Sequence, residues 1–148
     1  MASVTYYVTI IISDKPIIAN LMITMNIIYF LVLTIILRTG NILDSIQVNG
    51  HHFGAPTTRG PDITTIQLAI DEKVTSIQYN TGYNGFSYCN FIMHTNIGSK
   101  YGPYAIKDNY RYCNMSSSKT ERSIPNGEFL EFMQQHSQLN PDGQIQLN

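Results

Sequence analysis

Apolar and polar positions alternate along much of the chain from residue 32 onward, and the clearest case begins at Phe91. Phe91, Met93 and Thr95 fall on one side of an extended chain and Ile92, His94 and Asn96 on the other, which predicts a strand with a markedly apolar face. Asn96 to Lys100 supplies the Asn and Gly that a chain reversal needs, and residues 101–104 (Tyr-Gly-Pro-Tyr) resume an extended path. Gly102 permits close backbone approach there, and Pro103 stiffens the exit. Earlier, Ile66, Leu68 and Ile70 point inward against Thr65, Gln67 and Ala69; Asp71-Glu72-Lys73 reads as a polar turn, and residues 74–79 as the returning strand of a hairpin. Ser76-Ile77-Gln78 echoes Ser45-Ile46-Gln47, which predicts internal symmetry. Residues 49–62, rich in Gly, Pro and Thr, and residues 80–88, with Gly82 and Gly85, read as loops. Residues 109–114 form a further expected strand, and the hydroxyl-rich residues 116–120 a loop.

The pattern is different before residue 32. Residues 17–37 carry no charge between Lys15 and Arg38, long enough for a membrane helix, which takes roughly 20 apolar residues. Asn20, Thr24, Asn26 and Thr34 interrupt the run, and its many Ile residues suit strands equally. Residues 1–31 are therefore set apart as an apolar leader: a signal anchor, a divergent edge of the fold, or a wrongly joined reading frame. Residues 17–29 are expected outside the β core, and residues 32–148 are expected to form one domain.

Composition sharpens the fold class. Ten Tyr, six Phe and no Trp, with many Ile, Val and Thr, favour an all-β domain. A net charge of −1 with 13% charged residues gives no electrostatic reason to expect nucleic acid as a partner. Cys89 and Cys113 lack the paired close spacing of a zinc motif; one disulfide and two buried thiols are both compatible with them. His51, His52 and His94, with Asp44 or Asp62, invite a metal or acid–base reading. Yet the sequence has no HExxH, nucleophile elbow or phosphate loop, and adjacent residues of a strand point to opposite sides. No enzyme, cofactor or metal is expected. Asn114-Met115-Ser116 has the form of an N-glycosylation acceptor.

Three phrases carry a family resemblance. They are Phe91 to Tyr104, with its Thr-Asn, Gly turn and Tyr-Gly-Pro; Arg38-Thr-Gly-Asn-Ile-Leu-Asp-Ser-Ile-Gln-Val48; and Ile124-Pro-Asn-Gly-Glu-Phe-Leu-Glu-Phe132. Over roughly residues 32–132 the chain resembles the jacalin-related lectins, in their mannose-binding or zymogen-granule-like branch. The resemblance implies a β-prism of three Greek-key four-stranded sheets, with residues 38–48 as its first hairpin and residues 124–132 as its last, ending in a strand. It implies sugar recognition by loops at one end of the prism, without catalysis, and a secreted or membrane-tethered extracellular location; a cytoplasmic one is also compatible with the sequence. The partners to expect are glycans of mannose or galactose type, a membrane reached through residues 17–37, and a second copy of the chain. The alternative is a structural or protein-interaction domain on the same scaffold with degenerate sugar loops.

A sugar hydroxyl both donates and accepts hydrogen bonds, so a lectin site needs a carboxylate and convergent backbone amides on a tight loop. The family's mannose site pairs a Gly-rich N-terminal loop with a C-terminal GxxxD. Here no Gly precedes Gly40, and the C-terminal stretch reads His136-Ser-Gln-Leu-Asn-Pro-Asp142, where Asn140 or Asp142 stands in for the family Asp. A GxxxD does occur at Gly40, Asn41, Ile42, Leu43 and Asp44, where some family members have a second sugar site beside a loop corresponding here to His52 through Gly54. Tyr83 and Tyr88 are candidates for a stacking wall. Asp44 is the leading candidate for a sugar contact.

Overall fold

The computed structural model describes residues 8–12, 15–19, 32–57, 59–107 and 112–148. The described residues are mostly β, in antiparallel sheets, with one short α-helix. The strands are β1 (Val8–Ile12), β2 (Lys15–Ala19), β3 (Thr34–Thr39), β4 (Leu43–Val48), β5 (His51–Gly54), β6 (Asp62–Gln67), β7 (Val74–Thr81), β8 (Tyr88–Thr95), β9 (Lys100–Tyr104), β10 (Thr120–Ser123), β11 (Ser137–Leu139) and β12 (Ile145–Leu147); the helix α1 is Phe129–His136.

Two four-stranded sheets share one topology. The first runs β5-β4-β3-β6 and the second β10-β7-β8-β9. In each, three strands follow one another as hairpins and the fourth returns beside the first, which is a Greek key. Internal symmetry is therefore present, but the Ser-Ile-Gln echo does not mark it: Ser45 lies on β4, the second strand of its sheet, and Ser76 on β7, the first of its own. The expected hairpin of residues 63–79 is also corrected. β6 pairs with β3 and β7 with β8 and β10, so Asp71-Glu72-Lys73 turns the corner between two sheets. Ile66 and Leu68 are buried as expected, whereas Ile70 at the corner is exposed.

Alternation explains the central strands. Ile35, Leu37 and Thr39 of β3 are buried while Thr34, Ile36 and Arg38 are half-buried, and β3 pairs on both edges. β8 is buried on nearly every position because its Phe91 and Met93 face the core while Ile92 is covered as well. A Cβ at Gly102 would stand 2.5 Å from the Phe91 carbonyl oxygen, so β9 can lie this close to β8 only with glycine there. One continuous core joins Leu37 and Ile46 of the first sheet, Ile77 and Phe91 of the second, Phe129 of α1 and Ile145 of β12.

Three expectations change. The loop of residues 49–62 contains β5, whose side chains His51 and His52 are exposed and so lack an apolar period. Residues 124–132 do not end in a strand: after a turn at Pro125–Gly127 the chain enters α1, because Phe129, Phe132 and Met133 recur at helical spacing and bury on one face. Residues 112–114 are not a strand, and 108–111, the rest of that expected stretch, lie outside the described residues. Of the leader, β1 and β2 form an antiparallel hairpin pairing Val8 with Ala19, and residues 20–31 lie outside the described residues. No helix among the described residues is long and apolar enough to cross a membrane. Cys89 and Cys113, both fully buried, form a disulfide.

Candidate functional site

Three loops that are distant in sequence meet at one cleft. The first is the β3–β4 turn, closed by the Gly40 N–H donating to the Ile42 carbonyl at 3.0 Å. It leaves Asn41 exposed and carries the chain straight into Asp44. The second is the β5–β6 connection, where the Ala55 N–H donates to the Asp44 carbonyl and the Arg59 N–H to the Pro56 carbonyl, each at 3.0 Å. Gly60 follows at positive φ, and a Cβ there would stand 2.9 Å from Asp44 Oδ2 and 3.1 Å from the Arg38 backbone, so the position accepts no side chain.

The third loop is the β11–β12 turn. Asn140 Oδ1 accepts from the N–H groups of Asp142 and Gln144, both at 2.9 Å, and the Asn140 N–H donates to the Gln144 carbonyl at 2.8 Å. Asn140 is thus the buried staple of its turn, spent on backbone amides, while Asp142 is exposed. Arg59 Nη1 donates to the Asp142 carbonyl at 2.8 Å and ties the second loop to the third.

The resulting cleft, about 410 Å³, is lined by Asn41, Ile42, Asp44, Arg59, Tyr112, Asp142 and Gln144. Asp44 dominates its electrostatics. It is only 7% exposed, and among the described residues no donor reaches its carboxylate. Burial pushes its carboxyl above the usual aspartate range, and the positive charge of Arg59 pulls partly against that. A buried acceptor without a donor carries a desolvation cost that a donor arriving from outside relieves.

Of the residues singled out in the sequence, Asn41, Ile42, Asp44 and Asp142 are brought together in this cleft, and Gly40 adjoins it, with Asp44 Oδ2 3.9 Å from where its Cβ would be. Leu43 is buried in the core, and Asn140 supports the cleft from behind. His52 and Gly54 do not line it. The His52 ring Nε2 lies 2.5 Å from the Ala55 carbonyl oxygen, and a Cβ on Gly54 would stand 2.6 Å from the Asp44 carbonyl oxygen and 2.9 Å from Ile145, so both belong to sheet packing. Tyr83 is 61% exposed in the β7–β8 loop, outside the cleft lining. Tyr88 is a core residue whose hydroxyl accepts from the Leu147 N–H at 3.0 Å.

Arg59, Tyr112 and Gln144 were not singled out by the sequence. Arg59 had a signal, as the lone Lys, Arg, Asp or Glu among residues 49–61, a stretch otherwise of turn-forming, His and apolar residues. Tyr112 had none, since its place at the cleft follows from its neighbour Cys113 being bonded to Cys89. No protein-family model matches the chain, and no curated protein matches it at significant similarity.

Proposed function

We propose that this chain is a carbohydrate-binding domain of jacalin-related type that recognises glycans through the cleft at Asp44 and performs no catalysis. The observation that carries the reading is the buried carboxylate of Asp44, which no donor among the described residues reaches, in a polar cleft where three loops converge. A glycan hydroxyl supplies the missing donor, and the exposed amide of Asn41 and the Asp142 loop offer further hydrogen bonds around it. Two sheets of identical Greek-key order support the β-prism as the scaffold. The disulfide fits an extracellular setting, where oxidised cysteine pairs persist.

The competing reading, a protein-interaction domain, is favoured by a mainly apolar cleft of about 330 Å³ beside α1, lined in part by Leu33, Phe129 and Leu130. A glycan array probed with the oxidised full chain decides between them. Binding to mannose- or galactose-type glycans that Asp44→Asn weakens by about tenfold or more is the expected result. A blank array from protein that melts cooperatively overturns the lectin reading in favour of the interaction domain.

A further inference from the structure

We infer that Arg59 and Asp44 together clamp a hydroxyl of a neutral sugar, and that the cleft rejects acidic sugars; this rests on the carbohydrate reading above. The two charges share one cleft, yet among the described residues no ion pair within 4.0 Å joins them. Arg59 is held elsewhere, by its Nη1 bond to the Asp142 carbonyl. Among the described residues Asp44 is left as an acceptor without a donor, and the guanidinium retains N–H groups beyond the one it has committed.

Ligand chemistry follows from that pairing. An ionised carboxylate only accepts and a guanidinium only donates, so a group that serves both must accept and donate at once. A hydroxyl does this. A carboxylate or sulfate ester on the ligand accepts from Arg59 but has nothing to give Asp44, and it sets like charge against Asp44 and Asp142. An ammonium group donates to Asp44 but meets Arg59 with like charge. Glycines keep the carboxylate reachable: Gly60 lies where any side chain would press on Asp44 Oδ2. Arg59 therefore donates its N–H here to a hydroxyl oxygen, although an arginine in a sugar cleft invites an acidic ligand.

Titration calorimetry on the oxidised full chain tests this, using methyl α-mannopyranoside and methyl α-galactopyranoside as neutral probes and glucuronic and N-acetylneuraminic acids as acidic ones. The expected result is binding of a neutral probe at least about tenfold tighter than either acid. Arg59→Gln is expected to weaken the neutral probe by about tenfold or more, the scale of a lost charge-assisted hydrogen bond. Arg59→Lys, which keeps a charged donor, retains part of that affinity, and Asp44→Asn narrows the gap between neutral and acidic probes. A wild-type preference for acids, or unchanged neutral affinity in Arg59→Gln, overturns the clamp while leaving a lectin. Failure of every saccharide, acidic and neutral, to bind the folded wild type overturns the carbohydrate reading together with the clamp.

Discussion

Asp44 stands in tension between stability and recognition. Its folded-state carboxyl is raised by burial, so folding shifts the group toward its protonated form relative to the unfolded chain. The favourable contribution is fully present below the ordinary aspartate range and is lost as pH rises through the raised value. Asp44→Asn removes that ionisation and keeps the shape. At neutral pH the variant is expected to melt higher than the wild type, by about 2–4 °C for each kcal/mol of desolvation relieved. The difference should shrink as pH is lowered toward the ordinary aspartate range, and a variant that melts lower at pH 7 would show instead that Asp44 stabilises its own turn. Asp44 was legible in the sequence because GxxxD is a local pattern. Its partnership with Arg59 was not, since the contact that places the guanidinium joins residues 83 positions apart.

At the scale of single elements, legibility followed period and exposure. β3 could be read because its buried positions alternate, and β4, β8 and β9 because the turns at Gly40 and Gly98 bound them, whereas β5 carries two exposed histidines and is held by backbone pairing to β4. The helix α1 departs from the strand that the resemblance implies, because Phe129, Phe132 and Met133 stand at i, i+3 and i+4 and bury together on one helical face. Phe132 is 4% exposed in the common core, and the Arg122 guanidinium lies 5.3 Å from its ring centre. Phe132→Ala should cost about 3–5 kcal/mol in denaturant unfolding, the usual range for emptying an aromatic core position. A loss below about 1 kcal/mol would mean that α1 is docked by its backbone and not by this face.

At the scale of the molecule, the two like four-stranded sheets are each drawn from one contiguous stretch of chain, and a buried carboxylate fastens them at the corner between. Glu72, 2% exposed, accepts from the Ala69 N–H at 2.9 Å, the Thr95 hydroxyl at 2.8 Å and the Tyr101 hydroxyl at 3.2 Å. Burial works to raise its carboxyl, but these bonds outweigh it and hold the group below the usual glutamate range. Its stabilising effect is therefore present above the ordinary glutamate value and is lost as pH falls through that value toward the lowered one. Glu72→Gln should lose about 1–3 kcal/mol at neutral pH, and the deficit should close in acid; a pH-independent deficit would assign the effect to packing. The sequence showed a charged turn there and no reason for it to be buried, because Thr95 and Tyr101 arrive from the second sheet. The disulfide, finally, has a mechanical consequence. Cys89 and Cys113 are 24 positions apart, so a chain pulled by its ends carries tension across the sulfur bridge and around neither Phe91 nor Met93. Stretched in a force spectrometer, the oxidised protein should extend by roughly 80 Å less than the reduced one, at about 3.5 Å per residue, with the whole of β9 left slack inside the bridge.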